Sequence, residues 1–172
     1  QELLDYSRGN ISLQTQEVEV GRWLDRIFEY LQEDLDASNV VLITRFDHRG
    51  PVHIDADRLR RVVINIAGNA TDAMPKGGRL TISSRVVGDF WELAVTDTGT
   101  GIPEELRPRI FEPFVTSGKE HGTGLGLAIA REIVRGHGGD IQIETRTDGE
   151  EEGRPSGSTF IITLPLIGVA AG

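Results

Sequence analysis

Apolar positions along this chain of 172 residues recur at two periods. Leu24, Ile27, Phe28, Leu31 and Leu35 fall three or four residues apart, the spacing of one helical face, and predict a helix over residues 22–37. The clearest stripe is Leu59, Val62, Val63, Ile66, Ala70 and Ala73, which predicts a helix over 57–73 stopped by Pro75 and Gly77-Gly78. A third helix is predicted over 125–135, ended by Gly136-His137-Gly138-Gly139. Between them the pattern shifts to alternation and β-branched runs. A short strand ends at Val18-Glu19-Val20, another spans 40–46, and a third spans 52–54 after Gly50-Pro51. Residues 79–87 and 90–96 read as a hairpin about Gly88-Asp89. Residues 141–147 and 159–164 read as a second hairpin, joined by the acidic, polar loop 148–157. A short helix started by Pro103 is expected over 103–107.

Hairpins with helices between them predict an α+β protein. The expected architecture is a two-layer α/β sandwich, a mixed sheet of about five strands covered on one face by about three helices. Residues 1–9 read as the stub of an upstream helix, with Leu3, Leu4 and Tyr6 on it and Gly9 at its end. The main domain is placed at 10–167, and 168–172 form a tail. Residue 1 is Gln, so the sequence is expected to be a piece of something longer.

The formal charge of −9 argues against binding nucleic acid through a general basic field. The charge is uneven, however. Residues 51–100 carry six basic and six acidic side chains, so an anionic ligand meets least repulsion there. No cysteine is present, which removes disulfides, thiolate zinc sites and thiol nucleophiles together. No apolar run approaches the ~18 residues of a membrane span and no signal peptide opens the chain, so no direct membrane contact is expected.

Three segments could carry chemistry. Asn65 and Asn69 lie one turn apart on the flank of the second helix's apolar stripe, with Asp72 beside them. Asparagine is a poor helix former, so the pair is either two solvent-facing amides or a set of oxygen ligands for a hard cation such as Mg2+. Asp97 ends a strand and is followed by Gly99, Gly101, Ile102 and Pro103. It either caps a turn or presents a buried carboxylate to an exocyclic amine. Finally, Gly122, Gly124 and Gly126 alternate into a helix start, where free N–H groups suit anions. Ile129 stands where a dinucleotide fingerprint needs its third glycine, and Ser117-Gly118-Lys119-Glu120 lacks the Ser/Thr of a P-loop. A bare loop-to-helix turn is the other reading of that segment.

The order of these segments resembles the ATP-binding domain of sensor histidine kinases, within the superfamily that includes type II topoisomerase, heat-shock chaperone and mismatch-repair ATPases. Ile110-Phe111-Glu112-Pro113-Phe114 looks like the family's phenylalanine box, and Gly157-Ser158-Thr159-Phe160 looks like its terminal G-x-T-F. The resemblance covers about residues 10–165, and residues 112–119 and 122–128 are most similar to the nitrogen-regulator type. It implies that Asn69 coordinates Mg2+ with Asn65 in support. It places Asp97 on the adenine amine, Gly101-Ile102 along the base, and Ala73, Gly99 and Thr159 in the nucleotide site. Residues 116–122 would form a lid containing Thr116 and Lys119. Gly122, Thr123, Gly124, Leu125 and Gly126 would bring amides to the phosphates, and Phe111 and Phe114 would pin the base of the lid.

Departures from the family pattern sharpen the reading. Superfamily ATPases place a water-activating Glu where Asn65 stands, so slow hydrolysis and a kinase are implied. Many sensor kinases carry a basic and an aromatic residue where this chain has Asp72 and Ala73. Lys119 is then expected to contact the γ-phosphate, with Arg61 as a weaker candidate. His48, His53, His121 and His137 all lack the acidic neighbour of a phosphoacceptor, and His137 is expected to be cationic at a helix C-terminus. The implied reaction is transfer of the γ-phosphoryl of ATP to a histidine on an upstream dimerisation hairpin absent from this chain. A response regulator receiver domain would be the further partner. The parent is expected to be a cytoplasmically acting homodimer, and this segment a monomer. The alternatives are an ATP-binding module without kinase activity and an ATPase coupled to dimer closure.

Overall fold

The computed structural model describes residues 12–115, 124–148 and 155–166. The expected helical stub, the lid and the tail lie outside these residues. The elements run β1 (Gln16–Glu19), α1 (Val20–Ala37), β2 (Val40–Phe46), β3 (Pro51–Ile54), α2 (Ala56–Asp72), β4 (Gly78–Val87) and β5 (Phe90–Asp97). A 3-10 turn (Arg107–Arg109), α3 (Gly126–Gly136), β6 (Asp140–Arg146) and β7 (Gly157–Pro165) follow.

Five strands form one sheet in the order β2-β4-β5-β7-β6. Only β2 and β4 run parallel, because β3 and α2 cross over between them; the other neighbours are antiparallel. The expected mixed five-stranded sheet is what the chain forms. Unexpectedly, β1 and β3 pair with each other in a separate two-stranded antiparallel ribbon.

Strand alternation turns one face of the sheet inward. Leu80, Ile82, Trp91, Leu93, Val95, Phe160, Ile162 and Leu164 are buried on it, and the buried stripes of α1, α2 and α3 join the same core. Each such side chain contributes roughly 1.5–3 kcal/mol on burial. Trp23 of α1 meets Trp91 edge-on, with ring centroids 6.4 Å apart. The Trp91 indole donates to Ser84 Oγ at 2.9 Å, so both buried polar groups are satisfied.

Helix ends explain where the sequence-based limits move. α1 starts at Val20 because the Val20 and Gly21 amides donate to the Gly50 and Arg49 carbonyls at 3.1 and 3.0 Å. Asp55 caps α2, accepting Arg58 N–H at 3.0 Å on Oδ1. The helix expected over 103–107 is instead a run of turns ending in the 3-10 segment. Leu106 and Arg107 donate to Pro103 and Glu104, three residues back. Pro108 has no amide to extend those bonds into an α-helix.

His137 corrects a second expectation. It does follow α3, but it is buried. Its Nε2 accepts the Asp55 amide at 2.9 Å, which makes Nδ1 the donor to the Ile133 carbonyl at 2.7 Å. Burial pushes its pKa below the ordinary 6.5, against the opposing pull of the Ile133 carbonyl and the Asp55 charge. The ring is neutral.

Candidate functional site

The alternation of β5 continues one step past its apolar residues, so Asp97 takes the inward position after Trp91, Leu93 and Val95. It is only 5% exposed. Its Oδ1 accepts Gly99 N–H at 2.8 Å and Ser158 N–H at 3.2 Å. Among the described residues nothing donates to Oδ2. Burial raises the carboxyl's pKa above its ordinary value, and the two amide bonds only partly oppose this. The turn-capping and acceptor readings of Asp97 are therefore compatible. One oxygen shapes the turn and the other remains an acceptor that a ligand's N–H would relieve.

The chain leaving Asp97 folds back on its neighbours. Thr100 N–H donates to the Ala73 carbonyl at 3.1 Å, bringing the end of α2 against the turn. A β-carbon at Gly99 would come within 2.7–2.9 Å of Ala73 and of Asp97 Oδ1. Gly101 has φ +73° and lies against the Arg146 carbonyl, so a side chain fits neither its conformation nor its space. Ile102 N–H donates to Thr145 Oγ1 at 2.9 Å. The end of β6 thus supports the Gly101-Ile102 wall.

Across the site, Asn69 Nδ2 donates to Asn65 Oδ1 at 3.2 Å. The paired asparagines are neither independent nor simply solvated, since both are half-buried. Gly126, the first residue of α3, abuts the Asn65 amide with no room for a β-carbon between them. Gly124, at φ +66°, packs on the backbone of Phe114, and Phe114 N–H donates to its carbonyl at 2.9 Å. Leu125 is buried and supplies no side-chain cap to α3. The N-terminus of α3 thus lies beside Asn65 at Gly126, and helix N-termini suit phosphate oxygens.

Ala73, Gly99 and Asp97 thus meet at the β5 turn, which runs on through Gly101 and Ile102, while Asn65, Asn69 and Gly126 meet where α2 faces the start of α3, reached through Gly124 and Leu125. Thr116, Lys119, Gly122 and Thr123 lie outside the described residues. Thr159 is not brought to Asp97. Its hydroxyl pairs with that of Thr96 at 3.0 Å on the other face of the sheet. Ser158, one residue earlier, is the β7 residue opposite Asp97. Arg61 lines a separate cleft with Arg22, Arg26 and Arg58, and Asn65, Asn69 and Asp97 do not line it. Phe111 packs on the core, with the Arg131 guanidinium 5.3 Å above its ring. Phe114 instead stands 71% exposed. Thr145 and Ser158 were missed from sequence; the register of β7 against β5 is the signal that would have found Ser158.

The donor set fits a hard cation. Among the described residues no three His, Asp or Glu side chains gather as a metal cage. The groups available at α2 are amide oxygens, and Mg2+ favours few protein oxygens completed by phosphates and water. Gly126, lacking a β-carbon, lets the Asn65 amide sit against the start of α3.

Fold and site together define an ATP-binding α/β sandwich of the histidine-kinase catalytic type. Residues 54–168 match the family described as "Histidine kinase-, DNA gyrase B-, and HSP90-like ATPase", and the chain belongs to that family. It is 37% identical over 145 residues to Sporulation kinase C of Bacillus subtilis, covering 83% of this chain and 32% of that protein. Among solved structures it is similar to a nucleotide-free catalytic domain of histidine kinase ThkA. That match has TM-score 0.77 and 30% identity, covering 90% of this chain and 99% of the other. Full-length ShkA in complex with AMPPNP matches with TM-score 0.82 and 26% identity over 99% of this chain and 35% of that one. The chain spans about a third or less of the length of the first curated relatives it matches.

Proposed function

We propose that this chain binds Mg-ATP and transfers its γ-phosphoryl to a histidine on a helical hairpin upstream of it. The carrying observation is the buried Asp97 carboxylate, whose two hydrogen bonds both fall on Oδ1. Its Oδ2 takes the adenine amine, and Gly101-Ile102 line the base. A site built around such an acceptor rejects a base that presents a carbonyl in the same place. Asn69, steadied by Asn65, holds Mg2+, which when bound neutralises charge on the phosphates. The amides at Gly124–Gly126 complete the cradle, and Lys119 reaches the γ-phosphate from the lid. Catalysis then rests on positioning and charge, as phosphoryl transfer requires.

Asn65 favours transfer over hydrolysis. It offers an amide where a water-activating reaction needs a base. The parent acts as a homodimer on the cytoplasmic side and passes the phosphoryl group to a receiver domain. Asp72, exposed as the last residue of α2, favours a second reading, a nucleotide-binding module without transfer. The test adds γ-labelled ATP and the parent's purified helical hairpin to this protein. Label on the hairpin is expected. Tight ATP binding without label supports the bare module, and sustained phosphate release without label supports an ATPase.

A further inference from the structure

Asp97 and Ile102 stand at the two ends of one short turn, which the Gly99 N–H to Asp97 bond tightens only at its start. One side chain connects the two ends. Thr145, near the end of β6, accepts the Ile102 amide at Oγ1 at 2.9 Å. The same hydroxyl lies 2.8 Å from Ser158 Oγ and 3.2 Å from the Gly157 carbonyl. Ser158 in turn donates its amide to Asp97 Oδ1 at 3.2 Å. Gly101 rests on the Arg146 carbonyl, and Gly157 lies against the Asp97 carbonyl with no room for a β-carbon. The ends of β6 and β7 therefore rest against the two ends of this turn, and the Thr145 hydroxyl joins them.

We propose that Thr145 is a positioning residue that sets the base selectivity of the nucleotide site, an inference that rests on the reading of Asp97 as the adenine acceptor. A hydroxyl has one proton and two lone pairs. With three partners, Thr145 accepts from Ile102, donates to the Gly157 carbonyl, and accepts from Ser158. This fixes how far the Ile102 wall stands from Asp97. A base slides along that wall until its exocyclic group meets Oδ2, so an error in the spacing loosens the contact that tells an amine from a carbonyl. Valine fills the same volume and satisfies none of the three partners. Serine satisfies all three.

The test titrates Mg-ATP and Mg-GTP calorimetrically into the wild-type protein and into Thr145→Val, Thr145→Ala and Thr145→Ser, each checked for folding by circular dichroism. In Thr145→Val the ATP affinity falls roughly tenfold or more, the scale of leaving buried polar groups unmatched. GTP affinity changes far less, so the ATP/GTP ratio falls with it. Thr145→Ser restores the ratio to within about threefold of wild type, since all three bonds return. If the valine variant does not fold, Thr145→Ala takes its place, with the same fall in the ratio expected. An unchanged ATP/GTP ratio in a folded variant, even with both affinities reduced, overturns the inference and leaves the adenine assignment standing. So does a serine variant as unselective as valine. A wild-type protein with no preference for ATP removes the adenine assignment itself and this inference with it.

Discussion

The side-chain amide of Asn65 occupies the space that a β-carbon at Gly126 would need. The helices α2 and α3 are therefore meshed at one glycine, and the asparagine pair is held from outside as well as by its own 3.2 Å hydrogen bond. Gly126→Ala is expected to push Asn65 off Asn69. Overpacking of this kind costs about 1–3 kcal/mol, partly offset by alanine's better helix propensity of about 0.5–1 kcal/mol. The apo protein is then expected to melt a few degrees below the wild type, since the overpacking outweighs the helix gain, while the stabilisation given by saturating Mg-ATP shrinks by more than half. Scanning calorimetry with and without Mg-ATP checks this. A full nucleotide-induced shift in the variant would place the metal ligands elsewhere.

Asp97→Asn separates binding from folding. The amide keeps an oxygen for the Gly99 and Ser158 N–H groups but turns an NH2 toward the ligand amine, setting donor against donor. ATP affinity is expected to fall roughly 100-fold or more, in keeping with a buried polar mismatch. Folding responds in the opposite sense. Burial raises the pKa of Asp97, so the folded state prefers the neutral group. A neutral isostere is not expected to lower the melting temperature at pH 7. Isothermal titration beside a thermal melt reads both quantities, and undiminished ATP affinity would sink the adenine assignment.

Acid weakens the fold through His137. Its folded pKa lies below the ordinary 6.5, so between those two values the unfolded chain binds more protons than the folded one, and stability rises with pH. The contribution is complete above about 6.5 and is lost as pH falls through the folded value. Urea midpoints are expected to drop between pH 8 and pH 5.5. Asp97, with a raised pKa, has the opposite sign in a window opening upward from 3.8, so comparison with His137→Gln isolates the histidine. A variant whose midpoint falls as steeply as the wild type's would show that His137 is not the group responsible.

Much of this was legible because each helix buries one stripe and each strand one face. The 3.6-residue spacing from Leu59 to Ala70 placed α2, and with it the relation of Asn65 to Asn69. What stayed hidden was decided by competitions that local pattern does not weigh. The helix dipole favours a cationic His137, but burial between α2 and α3 prevails. Pro103 starts a turn well, but Pro108 stops it from becoming a helix. Thr159 and Ser158 differ by a single step along β7, and one step in a strand exchanges the two faces of the sheet. The ribbon of β1 and β3 involves four residues each, too few for periodicity to reveal a partner.

Asp97 takes its two hydrogen bonds from residues 2 and 61 positions away in sequence. The nearer bond can form in a local turn; the distant one needs β5 and β7 already aligned. Everything between them, α3 included, is an excursion closed at that seam, and such non-local closure comes late because its entropy must be overcome first. During refolding, nucleotide affinity should therefore lag behind helical signal, making the ligand a reporter of completed topology.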